Sequence, residues 1–376
     1  MVFTNKIKDI SSIGIADIIG AGTSALFWFF IASIAGPEGY GEITYFISIA
    51  VLSSNIALFG AVNTNIVYTA KNIQIQSTLY IITLCAGLIS LFVVLLFFNN
   101  LGASFLILGL VIFGLSTSEL LGKKLYQTYS KFVITQRILM ITCGIGLYYI
   151  FGIQGVLLGY SISYLPYIYV IIKTLRTVKI DFSLFKTKLN FIVPQYLQTL
   201  SGSLSGSLDK LIIGPIFGFG LLGNYSLGFQ FFTILTILPA IVGKYLIPED
   251  SSGIENKKLK KITIFISVGL AFLGFFFGPI VSGALFPKFL EAEEVIRIIS
   301  IAIIPTTVNT VYQAKFYAKE KSRDILYSSL LWISAQVIGI IILGNYFGVN
   351  GIAASYVLGA ICSSSYLVLV DKFRDS

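Results

Sequence analysis

The chain has 376 residues, of which 56% are hydrophobic and 11% charged, and its formal net charge is +9. Soluble domains average about 25% charged residues, so this composition excludes a water-facing surface of ordinary extent and indicates one membrane-embedded body. Histidine is absent, which excludes catalytic histidines, histidine-ligated metals and histidine pH switches.

Twelve stretches of the chain are long and apolar enough to cross a membrane as helices, since a span needs ~20 mostly apolar residues. The spans lie at about 10–35, 42–63, 78–98, 101–121, 132–151, 153–173, 190–214, 221–246, 262–286, 292–314, 325–346 and 351–370. The connections between them are short, so none holds a folded soluble domain. The pattern predicts an all-α polytopic membrane protein.

The basic residues lie almost entirely in alternate connections. If the N-terminus is cytoplasmic, the inner segments hold 22 of the 26 lysines and arginines, and the outer loops hold only Lys288. Because basic segments stay on the cytoplasmic side, this bias predicts cytoplasmic termini in a multi-pass protein of the plasma or inner membrane. The charge of +9 is spread over seven short segments, which argues against nucleic acid as a partner.

Three motifs occur twice in the same order. The pairs are 36–42 (GPEGYGE) with 218–224 (GFGLLGN), 124–126 (KLY) with 315–317 (KFY), and 151–156 (FGIQGV) with 347–352 (FGVNGI). Six spans per half is an even number, so both halves keep the same orientation. This predicts two pseudo-symmetric six-helix lobes around a central cavity, with the N-terminal lobe at 1–175, a cytoplasmic linker at 176–189 and the C-terminal lobe at 190–376.

The seventh span has a polar face that predicts a cavity wall. Its residues follow steps of three and four, which stacks them on one side of a helix: Gln195, Gln198, Gly202, Ser205 and Asp209. Small residues also suit close helix packing, and that alternative stays open for the serine and the glycine. Inserting a charged side chain such as Asp209 near the bilayer centre costs ~2.5–3.5 kcal/mol. We therefore expect Asp209 to have an ionic partner, to be hydrated or to have a functional role.

Four further residues are candidates for the same cavity. Lys210 lies about 100° around the helix from Asp209, so we do not expect it to face Asp209 directly. It either faces the cavity or extends toward the outer surface. Asp17 and Trp28 share one face of the first span. Arg137 lies inside the fifth span, where it either reaches an anionic headgroup or extends to the inner surface.

Two ion pairs are expected to be of little structural weight. Glu119 and Lys123 stand four residues apart at the inner end of the fourth span, which predicts a surface pair. Glu293 and Arg297 have the same spacing at the solvated start of the tenth span. Surface pairs of this kind contribute little to stability.

The residues resemble the polysaccharide and O-antigen flippases of the multidrug/oligosaccharidyl-lipid/polysaccharide exporter superfamily. Three stretches carry the resemblance: the first span into 36–42, the inner loop after the fourth span, and 209–214 (DKLIIG) through 222–225 (LGNY). The last of these is similar to the family's pattern of an aspartate, a basic residue, an aliphatic run and a glycine, followed by Leu-Gly-x-Tyr.

The resemblance implies that the chain flips a polyprenyl-(pyro)phosphate-linked oligosaccharide from the cytoplasmic to the outer leaflet by alternating access, for polysaccharide export. Its partners are then the lipid-linked oligosaccharide, membrane lipids and enzymes of glycan assembly, and no cofactor is expected. Under that interpretation sugars suit Gln195, Gln198, Ser205 and Trp28, phosphate suits Lys210 or Arg137, and a coupling H⁺ or Na⁺ suits Asp17 or Asp209.

Two alternatives stay open. A drug or small-cation exporter of the same fold needs a more acidic, aromatic cavity. An integral membrane glycosyltransferase or ligase needs paired carboxylates or a sizeable outer loop, and only Glu38 and Glu42 form an acidic pair near the first outer loop. A nucleotide-driven pump is excluded because the chain has no phosphate-binding Gly-x-x-x-x-Gly-Lys-Ser/Thr loop. We therefore expect a transporter rather than an enzyme.

Overall fold

The computed structural model describes residues 2–251, 256–319 and 321–374, without the side chains of 2–19, 244, 247–249, 251, 322 and 374. This part of the chain is 91% helical and contains no strand, which confirms the all-α prediction. The helices are α1 Val2–Leu58, α2 Ala61–Ala70, α3 Gln76–Phe98, α4 Leu101–Gly122, α5 Tyr126–Phe151, α6 Ile153–Ile162, α7 Ile168–Thr177, α8 Phe182–Thr187, α9 Leu189–Phe217, α10 Phe219–Leu235, α11 Ile237–Ser251, α12 Lys257–Leu285, α13 Ala292–Ile301, α14 Ile303–Ala318 and α15 Ser322–Arg374.

The described helices form twelve rods when the two longest are divided at their kinks, when α2, α7, α11 and α14 are each joined to the helix before them, and when the short α8 is set aside. Helix α1 is broken at Gly36 and α15 at Gly348, where the backbone is not helical. By length and apolar composition alone, eight described helices qualify as membrane spans, or nine if the bent pair α10–α11 is one span. This count is below twelve partly because α1 and α15 are each counted once, although each contains two rods. In addition, the polar residues of α9 keep its mean hydropathy below that of the qualifying helices. The twelve-span prediction is therefore confirmed.

Prolines mark the places where several spans bend or break. A short 3₁₀ turn at Leu165–Tyr167, which contains Pro166, separates α6 from α7. Helices α10 and α11 meet at a bend of 51°, three residues before Pro239. Helix α14 begins at Ile303, with Pro305 in its first turn. Proline lacks a backbone N–H and clashes with the preceding turn, which explains why breaks fall at or just before it.

The first compact unit comprises Met1–Ile31 and Tyr45–Ser207. One apolar core joins the inner ends of α2, α3, α4 and α7, and includes the fully buried ring of Tyr80. Asn100 begins α4 by accepting a hydrogen bond of 2.9 Å from the backbone N–H of Ala103, which satisfies one of the free donors at the start of the helix.

The second compact unit comprises Ala32–Thr44 and Leu208–Ser376. It contains α10 to α15 with the end of α9, and smaller apolar clusters lie around Leu246 and Phe316. The segment around the α1 kink packs within this unit rather than with the remainder of α1. The lobe boundaries expected from the sequence, with a linker at 176–189, stay a prediction.

The backbone carries the internal repeat. Gly36 and Gly218 are 182 residues apart and have φ/ψ of 70°/179° and 89°/160°. Gly152 and Gly348 are 196 residues apart and have φ/ψ of 62°/−138° and 57°/−135°. Positive φ is open to glycine and rarely to other residues. The same unusual turn therefore recurs at each matched position, which confirms the duplication.

Candidate functional site

The strongest polar centre in the second unit is the Asp209 carboxylate near the end of α9. The side chain is buried, and the Tyr225 hydroxyl on α10 donates to its Oδ2 at 2.8 Å. The Lys210 Nζ lies 3.2 Å from Oδ1 and 3.3 Å from Oδ2. The expectation that Lys210 does not face Asp209 is wrong. Its long side chain folds back because a buried carboxylate strongly favours a charged partner.

Aromatic rings surround this pair. The Lys210 Nζ lies 4.7 Å from the centroid of Phe229, a distance at which a ring face attracts a cation. The ring of Tyr356 on α15 lies 5.3 Å from Phe229 and 5.2 Å from Trp332, and Tyr356 also lies near Asp209. The carboxylate and the ammonium are thus held by α9, α10 and α15 in surroundings that strengthen their attraction.

Arg137 is the most prominent cation within the first unit. It extends from α5 toward Gly20 on α1, where a Cβ would lie 3.5 Å from the Arg137 Nε. That Nε is buried and has no hydrogen-bond acceptor within the described part of the chain. The Arg137 Nη1 donates to the Met140 sulfur at 3.8 Å. A guanidinium with an unused donor suits an anionic ligand.

Trp28 begins a series of aromatic rings that leads toward Arg137. Its ring lies 5.7 Å from Tyr160 on α6 in an edge-on arrangement. Tyr160 lies 5.4 Å from Tyr164, and Tyr164 lies near Arg137. Trp28 is half-buried, so part of its ring is open to a ligand. The structure therefore links Trp28 and Arg137 through Tyr160 on α6 and Tyr164, which lies just after the end of α6.

The polar residues of α9 that precede Asp209 contact other groups. The Gln195 carbonyl accepts a hydrogen bond of 3.1 Å from the Asn63 amide on α2. Gln198 is exposed, and the Ser205 hydroxyl donates to the backbone of its own helix, at the carbonyl of Ser201. These residues belong to the first unit, whereas Asp209 and Lys210 belong to the second.

The sequence prediction grouped eight residues into one site, and the structure brings together only parts of it. Asp209 contacts Lys210, while Trp28 connects indirectly to Arg137. Asp17 lies outside the residues whose side chains are described. The assignment of all eight to a single cavity stays a prediction.

The sequence analysis does not predict the buried hydrogen-bond network around Glu119. The carboxylate binds Lys123 and the Tyr80 hydroxyl, and the Thr174 hydroxyl donates to it at 2.5 Å. The Asn65 amide donates to Tyr80 at 3.3 Å. The pair Glu119–Lys123 exists as expected, but the Glu119 side chain is only 2% exposed, so the expectation of a surface pair is wrong. In the sequence, each of α2, α3, α4 and α7 contributes one polar residue to this network. The sequence alone does not show that these four residues contact one another.

The other expected ion pair also differs. Arg297 binds Glu294 at 2.9 Å rather than Glu293, and both partners are about half exposed. The spacing is three residues instead of four, and both spacings lie on one helix face. The pair remains a solvated one of little weight.

Two protein families match parts of the chain. The family described as "Lipid II flippase MurJ" matches residues 233–373, and the family described as "Polysaccharide biosynthesis protein" matches residues 110–263. No curated protein matches the chain in sequence.

Solved structures share the fold over nearly the whole chain. "Lipid II flippase MurJ" in an inward closed conformation has a TM-score of 0.75 at 17% identity, covering 96% of this chain and 87% of that one. A multidrug resistance MATE family transporter of the MOP superfamily, in its inward-facing conformation, has a TM-score of 0.71 at 14% identity, covering 97% and 98%. The outward-facing conformation of such a transporter has a TM-score of 0.65 at 14% identity, covering 98% and 95%.

At these identities the structural likeness establishes the fold. The matching solved structures are those of a flippase and of multidrug transporters. The comparisons confirm the resemblance to the lipid-linked-substrate flippases of the multidrug/oligosaccharidyl-lipid/polysaccharide exporter superfamily, and the chain is a multi-pass cell-membrane protein with the fold of that superfamily.

Proposed function

We propose that this protein flips a polyprenyl-(pyro)phosphate-linked oligosaccharide from the cytoplasmic to the outer leaflet by alternating access. The matches to a lipid II flippase and to a polysaccharide biosynthesis family support a lipid-linked substrate. Such a substrate has three chemically distinct parts: an anionic phosphate, a hydrogen-bonding sugar and an apolar tail. The tail is at home in the bilayer, so the protein has to accommodate the phosphate and the sugar.

The observation that carries the proposal is the guanidinium of Arg137. Its Nε is buried without an acceptor in the described part of the chain, and leaving a charged donor unpaired is costly. A phosphate supplies several strong acceptor oxygens in the planar geometry that a guanidinium matches. Gly20 leaves room beside this group, since a Cβ there would already be in van der Waals contact with the Nε, 3.5 Å away.

The aromatic series suits the sugar of the same substrate. Trp28 stands eight residues beyond Gly20 on α1, which is about 12 Å along a helix. In our proposal the phosphate binds Arg137 while the first sugar rings lie against Trp28 and Tyr160. Gln195, Gln198 and Ser205 are further hydrogen-bonding groups for the glycan.

Coupling to H⁺ or Na⁺ is part of the proposal, and Asp209 is the group through which it acts. Its carboxylate is already neutralised by Lys210, at 3.2 Å. An entering cation therefore has to displace the ammonium, and the released Lys210 is then free to bind substrate phosphate. Asp17 is the alternative coupling group.

A drug or small-cation exporter is the competing function, because MATE transporters share the fold. That function calls for a carboxylate available to a cationic substrate. The buried carboxylates of Glu119 and Asp209 each bind a lysine instead, Lys123 and Lys210. The pairing favours the anionic substrate. A membrane glycosyltransferase or ligase has no observation in its favour.

The test is a flipping assay on the purified full-length chain in lipid vesicles. Polyprenyl-pyrophosphate-linked oligosaccharide is placed in the inner leaflet, and its appearance outside is followed with a membrane-impermeant lectin. We expect Arg137→Gln to lower the initial rate about tenfold or more, since hydrogen bonds to charged groups contribute about 1.5–3 kcal/mol. Arg297→Gln is the matched control, because Arg297 is exposed and binds the surface residue Glu294.

Two results would contradict the proposal. One is a wild-type protein that moves no lipid-linked sugar yet exports a fluorescent organic cation, which would favour the drug exporter. The other is an equal effect of Arg137→Gln and Arg297→Gln, which would remove Arg137 from the substrate site. Partnership with glycan-assembly enzymes is tested separately, by whether such enzymes copurify with the chain after crosslinking.

A further inference from the structure

The segment 172–188, which we call the elbow, lies in the first unit and comprises the end of α7, a turn, α8 and the residue that follows it. It begins where the sixth predicted span ends, on the side that the distribution of basic residues assigns to the cytoplasm. Five residues of the elbow are basic and one, Asp181, is acidic. The elbow therefore lies at the inner surface of the membrane with an excess of positive charge.

Hydrogen bonds and an apolar contact hold the elbow against the start of α3. The Ser77 hydroxyl donates to the Val178 carbonyl at 2.8 Å, and the Thr78 hydroxyl accepts from the backbone N–H of Asp181 at 2.8 Å. On α8, Phe185 packs against the apolar core that joins α2, α3, α4 and α7. The elbow is thus fixed to the unit, and this packing determines which of its side chains are exposed.

The exposed side chains of the elbow are mainly basic and apolar. Ile180 and Phe182 are 52% and 53% exposed, although both are large apolar side chains beside a packed core. Four basic side chains are exposed near them in sequence: Lys173, Arg176, Lys179 and Lys186. Apolar side chains bordered by basic ones are typical of segments in the membrane interface, where the apolar groups enter the boundary between headgroups and acyl chains.

The exposed basic side chains are not neutralised by carboxylates in the part of the chain that the structure describes. None of the four forms an ion pair there. The Asp181 carboxylate caps α8, where it accepts from the backbone N–H of Leu184 at 2.9 Å. Glu119, which binds Thr174 of α7, is buried and already paired with Lys123. The charge of the elbow is therefore open to anions at the membrane surface.

We propose that the elbow binds anionic phospholipids of the cytoplasmic leaflet. The basic side chains bind the phosphate groups, while Ile180 and Phe182 enter the leaflet beside the first carbons of the acyl chains. Charge complementarity selects this occupant, because the cytoplasmic leaflet carries a negative surface potential that attracts basic segments next to a span. The site is separate from Arg137 and Asp209, and its test measures lipid contact rather than flipping. Failure here leaves the proposed transport function untouched.

The experiment maps lipid contacts on the full-length chain, reconstituted into vesicles of equal parts phosphatidylcholine and phosphatidylglycerol. A trace of one lipid or the other carries a photoreactive group near its headgroup, and peptide mass spectrometry quantifies the adducts on residues 172–188. The test variant K179Q/K186Q removes two exposed charges from the elbow. The matched control K258Q/K372Q removes the same charge from exposed lysines elsewhere in the inner segments. A third variant, F182S, removes an apolar anchor and no charge.

In the wild type we expect the elbow to form adducts with phosphatidylglycerol in preference to phosphatidylcholine. Each lysine near an anionic lipid contributes enough for about a fivefold change in affinity, so K179Q/K186Q should lower this preference about 25-fold. The control should leave the preference unchanged. F182S should reduce the adducts with both lipids and keep the preference between them, because Phe182 anchors the elbow without selecting a charge.

Two outcomes would overturn the proposal. One is an equal loss of preference in K179Q/K186Q and K258Q/K372Q, which would indicate attraction to overall charge only. The other is an elbow that forms no more adducts with phosphatidylglycerol than with phosphatidylcholine, or none with either lipid, which would leave its exposed side chains to a protein partner. Size-exclusion chromatography of each variant confirms that folded protein is being compared.

Discussion

Thr44 and Ser226 lie 182 residues apart, and their hydroxyl groups share a hydrogen bond of 3.0 Å. This offset equals the separation of the two copies of the first repeated motif, so the bond joins matched positions. Gly41 and Gly223 have the same offset, and each packs closely against the backbone of the other copy. The duplication therefore places equivalent residues face to face inside the second compact unit.

The close approach at Gly223 predicts a selective loss of stability. A Cβ there would lie 1.8 Å from the Pro37 carbonyl oxygen, whereas a Cβ at Gly220, on the same helix, would meet nothing within 4 Å. We expect Gly223→Ala to cost about 1–3 kcal/mol or more through overpacking, and Gly220→Ala to be neutral or stabilising. The fraction of protein that stays monodisperse after heating measures the difference. Equal behaviour of the two variants would contradict the packing described here.

The space beside Arg137 gives a second prediction. Gly20→Leu fills the region next to the Arg137 Nε, while Gly22→Leu introduces the same side chain where a Cβ meets nothing within 4 Å. We expect the first variant to lower the flipping rate about tenfold by displacing the guanidinium from phosphate, and the second to flip normally. Both rates come from the vesicle assay at equal protein content. Normal flipping by Gly20→Leu would argue that Arg137 does not bind the substrate.

Because Asp209 and Lys210 form a buried ion pair, we expect the effect on stability of removing one charge to depend on whether the other is present. Asp209→Asn leaves the Lys210 ammonium without its counterion, and breaking a buried pair costs about 3–5 kcal/mol. The double variant Asp209→Asn/Lys210→Gln removes both charges and should recover much of that loss. Thermal survival of the two single variants and the double variant completes the cycle. Strict additivity would show that the two charges do not stabilise each other.

The Glu119 network predicts that removing Glu119 destabilises the protein much more than removing its partner Lys123. Glu119→Ala removes the carboxylate that accepts hydrogen bonds from the buried hydroxyls of Tyr80 and Thr174, which should cost several kcal/mol because it disrupts two hydrogen bonds and an ion pair. Lys123→Ala should cost much less, since the lysine side chain is 41% exposed and readily solvated. The midpoint of thermal unfolding in detergent compares them. A Lys123→Ala variant that is as unstable as Glu119→Ala would contradict this order.

The sequence predicts most of the fold because membrane spans follow from length and hydropathy. The twelve apolar stretches agree with the rods, and the repeated glycine motifs anticipate the matched turns at Gly36 and Gly218. The break between α10 and α11 follows the position of Pro239 only approximately, because the strain is relieved a turn earlier. These features depend on the hydropathy and backbone preferences of short segments. They can therefore be predicted without knowing how the helices pack.

The site is predicted less completely because it depends on contacts between distant segments. Asp209 stands out as a charge in an apolar stretch, but its partner Tyr225 is one tyrosine among 21. The turn of Lys210 toward Asp209 depends on side-chain rotamers and on the ring of Phe229. Likewise, Glu119 is buried only because α3 and α7 supply hydroxyls on both sides of it.

The most direct test of the proposed function is the sidedness of lipid-linked oligosaccharides in cells that lack this protein. Intact cells are treated with an impermeant glycosidase, and the protected fraction is measured by mass spectrometry of extracted lipids. Our account predicts that polyprenyl-pyrophosphate-linked oligosaccharide accumulates in the protected, cytoplasmic fraction and is released to the outside when the wild-type chain, but not Arg137→Gln, is restored. An unchanged distribution in the deleted strain, with wild-type amounts of surface glycan, would contradict it.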